Sequence, residues 1–430
     1  MAVKETVVAE AASAEERTAP ASAGDRMLGA LRHSRDYRVY WAGNQASSIM
    51  MQMQQVANGY LAYTLTHSAT TLGIVSLASG LSTLLLAPLG GVVADRLPRR
   101  NVLIVSQSLL CVVALILGVL VQTGLIQWWH LLISGALEGS FFAFMMPARQ
   151  AFIPSLVDDS DLLNAIAINN AGFNASRILG PAVAGLLIAT PFIGVKGIYF
   201  FRAVAYTGVL VSLLKISVND RPSKQGRRPF VQDLSSGLTY IARNERLLPL
   251  FLLAAIVVTF GMGYQVLLPV FALSVLKTGA RGLGFLSTAA GVGALLGSLT
   301  VAYFSEAQNK ARMQTLAGIG VGLGIIAFCF SAGAGLYLAA LACLLIVGLS
   351  NDFYSTLNNT LIMTNTDRAL YGRVMSVYMM TWGIVPMVGA GIAAAADHIG
   401  APLALGGAGI VVGLVSLGVS LFYPAYRRVG

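Results

Sequence analysis

Twelve runs of about 20 predominantly apolar residues, separated by polar or charged turns, dominate the chain. A run of that length crosses a hydrocarbon core as a helix. Lipid offers a bare peptide group no partner, and a helix satisfies its own backbone. The runs lie at 38–63, 71–94, 101–123, 128–148, 163–189, 194–216, 247–275, 282–304, 313–333, 335–357, 372–396 and 399–423. The first, fifth and tenth are diluted by Asn, Gln and Ser. Only 11% of the 430 residues are charged, against roughly a quarter in a soluble domain. The expected class is an all-α membrane protein of twelve transmembrane helices, with no large soluble core. Cys111, Cys329 and Cys343 all fall inside apolar runs and read as small hydrophobic filler, not as disulfide or metal ligands.

Basic residues orient the chain. With the N-terminus inside, the inner segments beyond the first run hold 17 Lys and Arg, while the outer loops hold three: Lys196, Lys277 and Arg281. The net charge of +10 is thus a cytoplasmic surplus facing anionic lipid and needs no nucleic acid. Residues 1–36, rich in Ala, Ser and Glu, lack the apolar middle of a signal peptide and read as a disordered cytoplasmic tail. A first six-helix bundle is expected over 37–216, a polar basic cytoplasmic linker over 217–246, a second bundle over 247–425, and a cytoplasmic tail over 426–430.

The halves are weakly alike. TLGIVSLASGLSTLLL (71–86) aligns with GLGFLSTAAGVGALLG (282–297) at an offset of 211, and the same offset sets Asp95 on Glu306 and Arg99 on Lys310. Two similar halves suit alternating access around a site near mid-bilayer.

The turn after the second run reads GVVADRLPRR. Gly91, Ala94, Asp95, Arg96, Arg99 and Arg100 match the loop signature of the major facilitator superfamily, which the chain resembles; Val93 and Pro98 depart from it. The resemblance implies two six-helix bundles, with Gly91, Asp95, Arg96, Arg99 and Arg100 forming a cytoplasmic gate latch. The fifth run carries SRILGPAVAG, similar to the superfamily's antiporter motif at Gly180, Pro181 and Gly185, with Ser176 and Ala184 replacing glycines. Gly172, Ser176, Gly180 and Ala184 recur every four residues and form one flat face for a neighbouring helix. The stretches GALEGSFFAFMMPA and RQAFIPSLVDDSDLLNAIAINNAGFNASRILGP resemble the exporters grouped with the enterobactin exporter and macrolide efflux proteins. In the fourth run, Gly135 and Glu138 stand where that family usually has Arg and Gln.

Between the ends of the runs ionisable residues are few: Glu138, Arg177, Arg202 and, toward the inner end of the tenth, Asp352. A charge at a helix centre costs about 2.5–3.5 kcal/mol on insertion scales and usually marks a pathway or relay. Glu138 and Arg177 lie at matching depth on runs joined by a short loop. Gly135, Gly139 and Ala143 form a flat face that could meet the one on the fifth run. A Glu138–Arg177 pair is expected, with Arg202 as the competing partner. Three roles stay open for it: proton coupling, a static tie between helices, or direct substrate contact. Asp352 is a second coupling candidate, or a solvated charge at the inner vestibule.

Polar residues at helical spacing mark a lining: Gln45, Gln52 and Gln55 on the first run, Asn170 and Asn174 on the fifth. Phe141, Tyr264, Gln265 and Trp382 offer apolar and hydrogen-bonding contacts for an amphipathic substrate. No Gly-x4-Gly-Lys-Ser/Thr phosphate loop and no nucleophile–base arrangement occurs, so neither ATP hydrolysis nor other enzyme chemistry is expected. No cofactor or metal is expected. The reading is a monomeric, proton-driven exporter of a small amphipathic molecule in the cell membrane, with both termini cytoplasmic; its partners are a small-molecule substrate, protons and the lipid bilayer. The alternatives are a proton-independent carrier, such as a lysophospholipid flippase or uptake facilitator, and a non-transporting receptor.

Overall fold

The computed structural model describes residues 23–216, 230–304, 309–367, 370–423 and 426. Every regular element among them is helical. Spans two to twelve are Ala69–Arg96, Arg99–Gln122, Trp128–Phe152, Leu162–Ile188, Gly194–Lys215, Leu247–Val275, Gly279–Tyr303, Lys310–Gly333, Tyr337–Thr364, Tyr371–Ile399 and Ala401–Phe422. Each is long and apolar enough to cross a bilayer. Span one, Arg35–Thr66, runs 32 residues but is less apolar than the rest. Its polarity points inward: Asn44, Ser47, Ser48 and Gln54 are buried in protein. A helix can carry such residues through a membrane when its neighbours supply their hydrogen bonds, as Asn169 does for Asn44 at 2.8 Å.

The two halves repeat element by element. An offset of 211 carries span three, Arg99–Gln122, onto span nine, Lys310–Gly333, residue for residue at both ends. The same offset carries spans one, two, four, five and six onto seven, eight, ten, eleven and twelve within a few residues. Each half is one bundle. The chain crosses twelve times, so one end of the molecule carries Arg35 and Phe422 and is called here the terminal end. The distal end carries the turns at His67, Gly124, Gly194, Lys277, Gly335 and Gly400, all with positive φ.

Two segments are more ordered than their composition implies. The tail expected to be disordered over 1–36 is helical over Ala23–His33. The amide of Ala30 donates to Asn164 Oδ1 at 3.0 Å, and His33 Nδ1 lies 2.8 Å from Asp161 Oδ2, which tie this helix to the base of span five. The linker contains a helix, Phe230–Arg243, docked on span eleven, where a Cβ on Gly237 would sit 2.9 Å from the Arg373 carbonyl oxygen. In both cases amphipathic residues gain structure by lying on a bundle already formed. Residues 1–22 and 217–229 fall outside the described residues.

Small residues decide which helices touch. A Cβ on Gly135 would sit 3.1 Å from the Val75 carbonyl oxygen, and one on Gly139 would strike the Ser79 carbonyl. The flat face of span four therefore meets span two, not span five as expected. The flat face of span five meets span one instead, with Gly180 against Gln52 and Ile49 and Gly172 against the Gln45 side chain. Close approach of backbones through small residues is one driver of association in lipid, where burial of apolar surface gains little.

Between the bundles, span two packs along span eleven, with Gly73 against Ala390 and Gly80 against Pro386. Span five packs along span eight, where Gly185 and Gly284 are in mutual contact. Span one meets span seven through Gly59 against Pro269 and a Tyr63–Ser274 hydroxyl pair at 2.6 Å. Span seven contains two π-helical turns, Ala254–Val258 and Phe271–Val275.

Candidate functional site

The two mid-membrane acids occupy different settings. Glu138, half-way along span four, accepts from Arg202 Nη1 at 3.0 Å. Gln54 Nε2 of span one donates to the same Oε1 atom. Arg202 Nη2 donates to Tyr206 Oη at 3.0 Å, one turn along span six, and its guanidinium carbon lies 4.9 Å from that ring's centroid. One turn the other way, buried Tyr199 donates its hydroxyl to Asn58 Oδ1 at 2.7 Å. Spans one, four and six of the first bundle thus share one polar core. The Arg202 side chain is only 3% exposed, so its charge is sealed within the bundle, paired there with Glu138, while its Nε has no partner.

The expected Glu138–Arg177 pair does not form. Equal depth on consecutive spans is not adjacency: span four turns its small face to span two, and its acid points toward spans one and six. Arg177 instead pairs with Asp352 of span ten, Nη1 to Oδ1 at 3.5 Å. This pair joins the first bundle to the second. Asp352 is not near the inner end of its span, because the helix continues through SNDFYSTLNNTLIMT to Thr364 and leaves the acid close to mid-helix. The Arg177 and Asp352 side chains keep 28% and 24% of their surface accessible, unlike sealed Arg202.

The other sequence candidates divide by what surrounds them. Tyr264 is buried in span seven and Gln265 beside it half-buried, and Gln45 and Gln52 lie at the seam of spans one and five. Phe141 packs against the first bundle's core, and Asn174 is half-buried. Gln55 and Asn170 are exposed, as is Trp382. No group of three or more His, Cys, Asp or Glu suited to a metal occurs among the described residues.

In the loop motif, Arg99 Nη1 donates to the Ala151 carbonyl at 3.1 Å; Arg100 donates through Nε to Leu213 and through Nη2 to Leu214, both at 2.8 Å. These carbonyls end spans four and six, where a cation also meets the negative pole of the helix. The two arginines therefore tie three spans together at the terminal end. Arg96 is exposed; the side chains of Gly91 and Asp95 lie outside the described residues. Gly180 receives span one, and Pro181 and Gly185 receive span eight at Gly284.

Sequence reading missed Gln54, Tyr199 and Tyr206 and ranked Arg202 second. The spacing of Arg202 and Tyr206, four apart on one helix face, was a usable signal. Nothing in the sequence set Gln54 apart from Gln52 and Gln55.

Twelve spans in two repeated bundles, with a charge pair between them at mid-depth, define a transporter of the major facilitator fold. A solved structure of a mutant of the nucleoside transporter NupG matches with a TM-score of 0.74 at 11% identity, covering 89% of this chain and 99% of that one. A peptide transporter of the POT family matches with a TM-score of 0.75 at 13% identity, covering 92% and 96%. Residues 28–425 match the model of the family described as transmembrane secretion effector, and the chain belongs to that family. It is 25% identical over 339 residues to the staphyloferrin A transporter of Staphylococcus aureus, covering 77% of this chain and 82% of that protein. It is 23% identical over 367 residues to macrolide efflux protein A of Streptococcus pyogenes, covering 84% and 89%. The enterobactin exporter EntS of Escherichia coli is 26% identical over 350 residues, covering 81% and 79%. The chain is thus a multi-pass membrane transporter and not an enzyme.

Proposed function

We propose that this chain exports a small amphipathic molecule from the cytoplasm in exchange for protons, as a monomer in the cell membrane with the terminal end inside. The single observation that carries the coupling is the Arg177–Asp352 pair between the bundles. Alternating access rocks one bundle against the other. A pair within one bundle, such as Glu138–Arg202, travels with it unchanged. A pair across the seam must alter each cycle. Protonation of Asp352 removes the charge that holds Arg177 and so lowers the cost of separating the bundles. In this reading Asp352 carries the proton, Arg177 senses it, and Glu138 holds Arg202 and Gln54 in place.

Export is supported by the secretion-effector family and by relatives whose names carry a siderophore or a macrolide. Gln265, Asn174 and the Arg177–Asp352 pair suit a ligand with both hydrogen-bonding and apolar parts. The inside position of the terminal end rests on the Lys and Arg bias.

The test uses everted vesicles with an imposed pH gradient and a panel of siderophores, macrolides and cationic dyes. Asp352→Asn should abolish gradient-driven accumulation while leaving downhill movement of the same substrate. Glu138→Gln should lower the amount of folded protein more than the coupling per molecule. Undiminished gradient-driven transport by Asp352→Asn would sink the assignment. Transport by the wild type that ignores the pH gradient would favour the uncoupled carrier.

A further inference from the structure

At the distal end the two bundles meet along two seams that the internal repeat makes equivalent. Span five ends against the start of span eight, and span eleven ends against the start of span two. The chemistry of the two differs. The first seam is built of small apolar residues: a Cβ on Gly185 would sit 2.8 Å from both the Ala280 carbonyl oxygen and the Gly284 Cα. The second carries a carboxylate. Asp397, in the last turn of span eleven, takes the Ala69 amide on Oδ1 at 2.8 Å and the Thr70 amide on Oδ2 at 2.8 Å. The Ser68 hydroxyl donates to the same Oδ2 at 2.7 Å. Ser68 Oγ in turn accepts the Thr71 amide at 3.3 Å.

A helix begins with N–H groups that have no partner inside it, and its own N-cap residue normally serves them. In span two the N-cap Ser68 serves only Thr71. The first two amides, Ala69 and Thr70, are served by a residue 327 or more positions away, on the other bundle. The carboxylate also faces the positive pole of the span-two helix, which favours its charge. All three bonds cross the seam, so none survives if the bundles separate at this end.

We infer that Asp397 is a distal gate latch: it holds the distal end closed by capping the first turn of span two from the opposite bundle, and the transporter releases this cap each time that end opens. The latch lies at the opposite end from the loop motif around Arg96–Arg100 and uses a different acid and a different helix. The inference rests on the chain cycling between two conformers, not on its substrate or its coupling ion.

The experiment measures conformer populations, so its outcome is independent of the transport assay above. Spin labels are placed at Leu125 and Leu336, exposed at distal turns of the first and second bundle, in the full chain without its native cysteines and in lipid nanodiscs. Electron–electron distance distributions give the ratio of separated to closed molecules. Asp397→Ala should raise that ratio about tenfold or more, the equivalent of one lost charge-assisted hydrogen bond. Asp397→Asn should fall between, since an amide oxygen still accepts but brings no charge. Ser68→Ala should move the ratio the same way by less, and should add little on top of Asp397→Ala, because the two share one contact. Ser68→Ala keeps the test valid where an Asp397 variant folds poorly. Distributions unchanged in both variants, with only a lower melting temperature, would overturn the latch and leave an ordinary helix cap.

Discussion

Removing the charge from Arg202 should damage the protein more than removing both charges of its pair. Arg202→Met keeps most of the side-chain volume but leaves Glu138 with a single donor, Gln54. Breaking one side of a buried pair costs about 3–5 kcal/mol, because the remaining charge stays buried without compensation. Glu138 is 21% exposed, so water reaches part of its carboxylate and the lower part of that range, about 3 kcal/mol, is the better estimate. Glu138→Gln should cost about 2–4 kcal/mol: the amide oxygen still accepts from Arg202, but the guanidinium, 3% exposed, loses its counter-charge. In the double variant no charge is left. Gln54 and the new amide can still pair, and the loss should fall to about 1–2 kcal/mol. The coupling between the two sites is then about 3 kcal/mol or more, well above the error of a double-mutant cycle. Reversible unfolding in mixed micelles of the wild type, both single variants and the double variant gives the four free energies. If the double variant loses the sum of the single losses, the two residues do not act as a pair and the rigid-core role of Glu138 fails.

Two further outcomes follow from the packing. Gly284→Leu places a branched side chain where the Pro181 carbonyl oxygen and Gly185 Cα lie 2.6 and 2.8 Å from a bare Cβ; spans five and eight must part, and transport should fall at least tenfold with the melting temperature lowered by several degrees. Tyr199→Phe deletes the hydroxyl bonded to Asn58 and should cost about 0.5–1.5 kcal/mol on unfolding while leaving the pH dependence of transport unchanged.

Much of the architecture is legible in the amino-acid sequence. Apolar runs mark the spans, and the match of 71–86 to 282–297 sets a register that the structure extends over all six pairs of helices. The four ionisable positions in the membrane are also legible, because a charge in a greasy run has no camouflage. Their partners are not. Glu138 and Arg177 share a depth and stand on consecutive spans, yet each pairs elsewhere: Glu138 with Arg202 and Gln54, and Arg177 with Asp352. Span four and span five both carry a flat small-residue face, and the sequence cannot say that these faces meet spans two and one rather than each other. By sequence Asp397 is an ordinary charge at a span end. Its importance is visible only once Ala69 and Thr70 are seen beside it.

What the sequence determined by itself is therefore what the bilayer imposes locally: how many helices cross, how long they are, how the halves repeat and which charges are too costly to be idle. All but the repeat follow from one segment and its solvent, and the repeat follows from comparing two segments as strings. What only the tertiary structure decided is lateral: which helix lies beside which, and so whether an acid is locked inside one bundle or shared between two. That choice depends on the fit of faces drawn from segments hundreds of residues apart, and no single segment contains it. For this transporter it separates Glu138, bonded within one bundle, from Asp352 and Asp397, bonded across the seam between two.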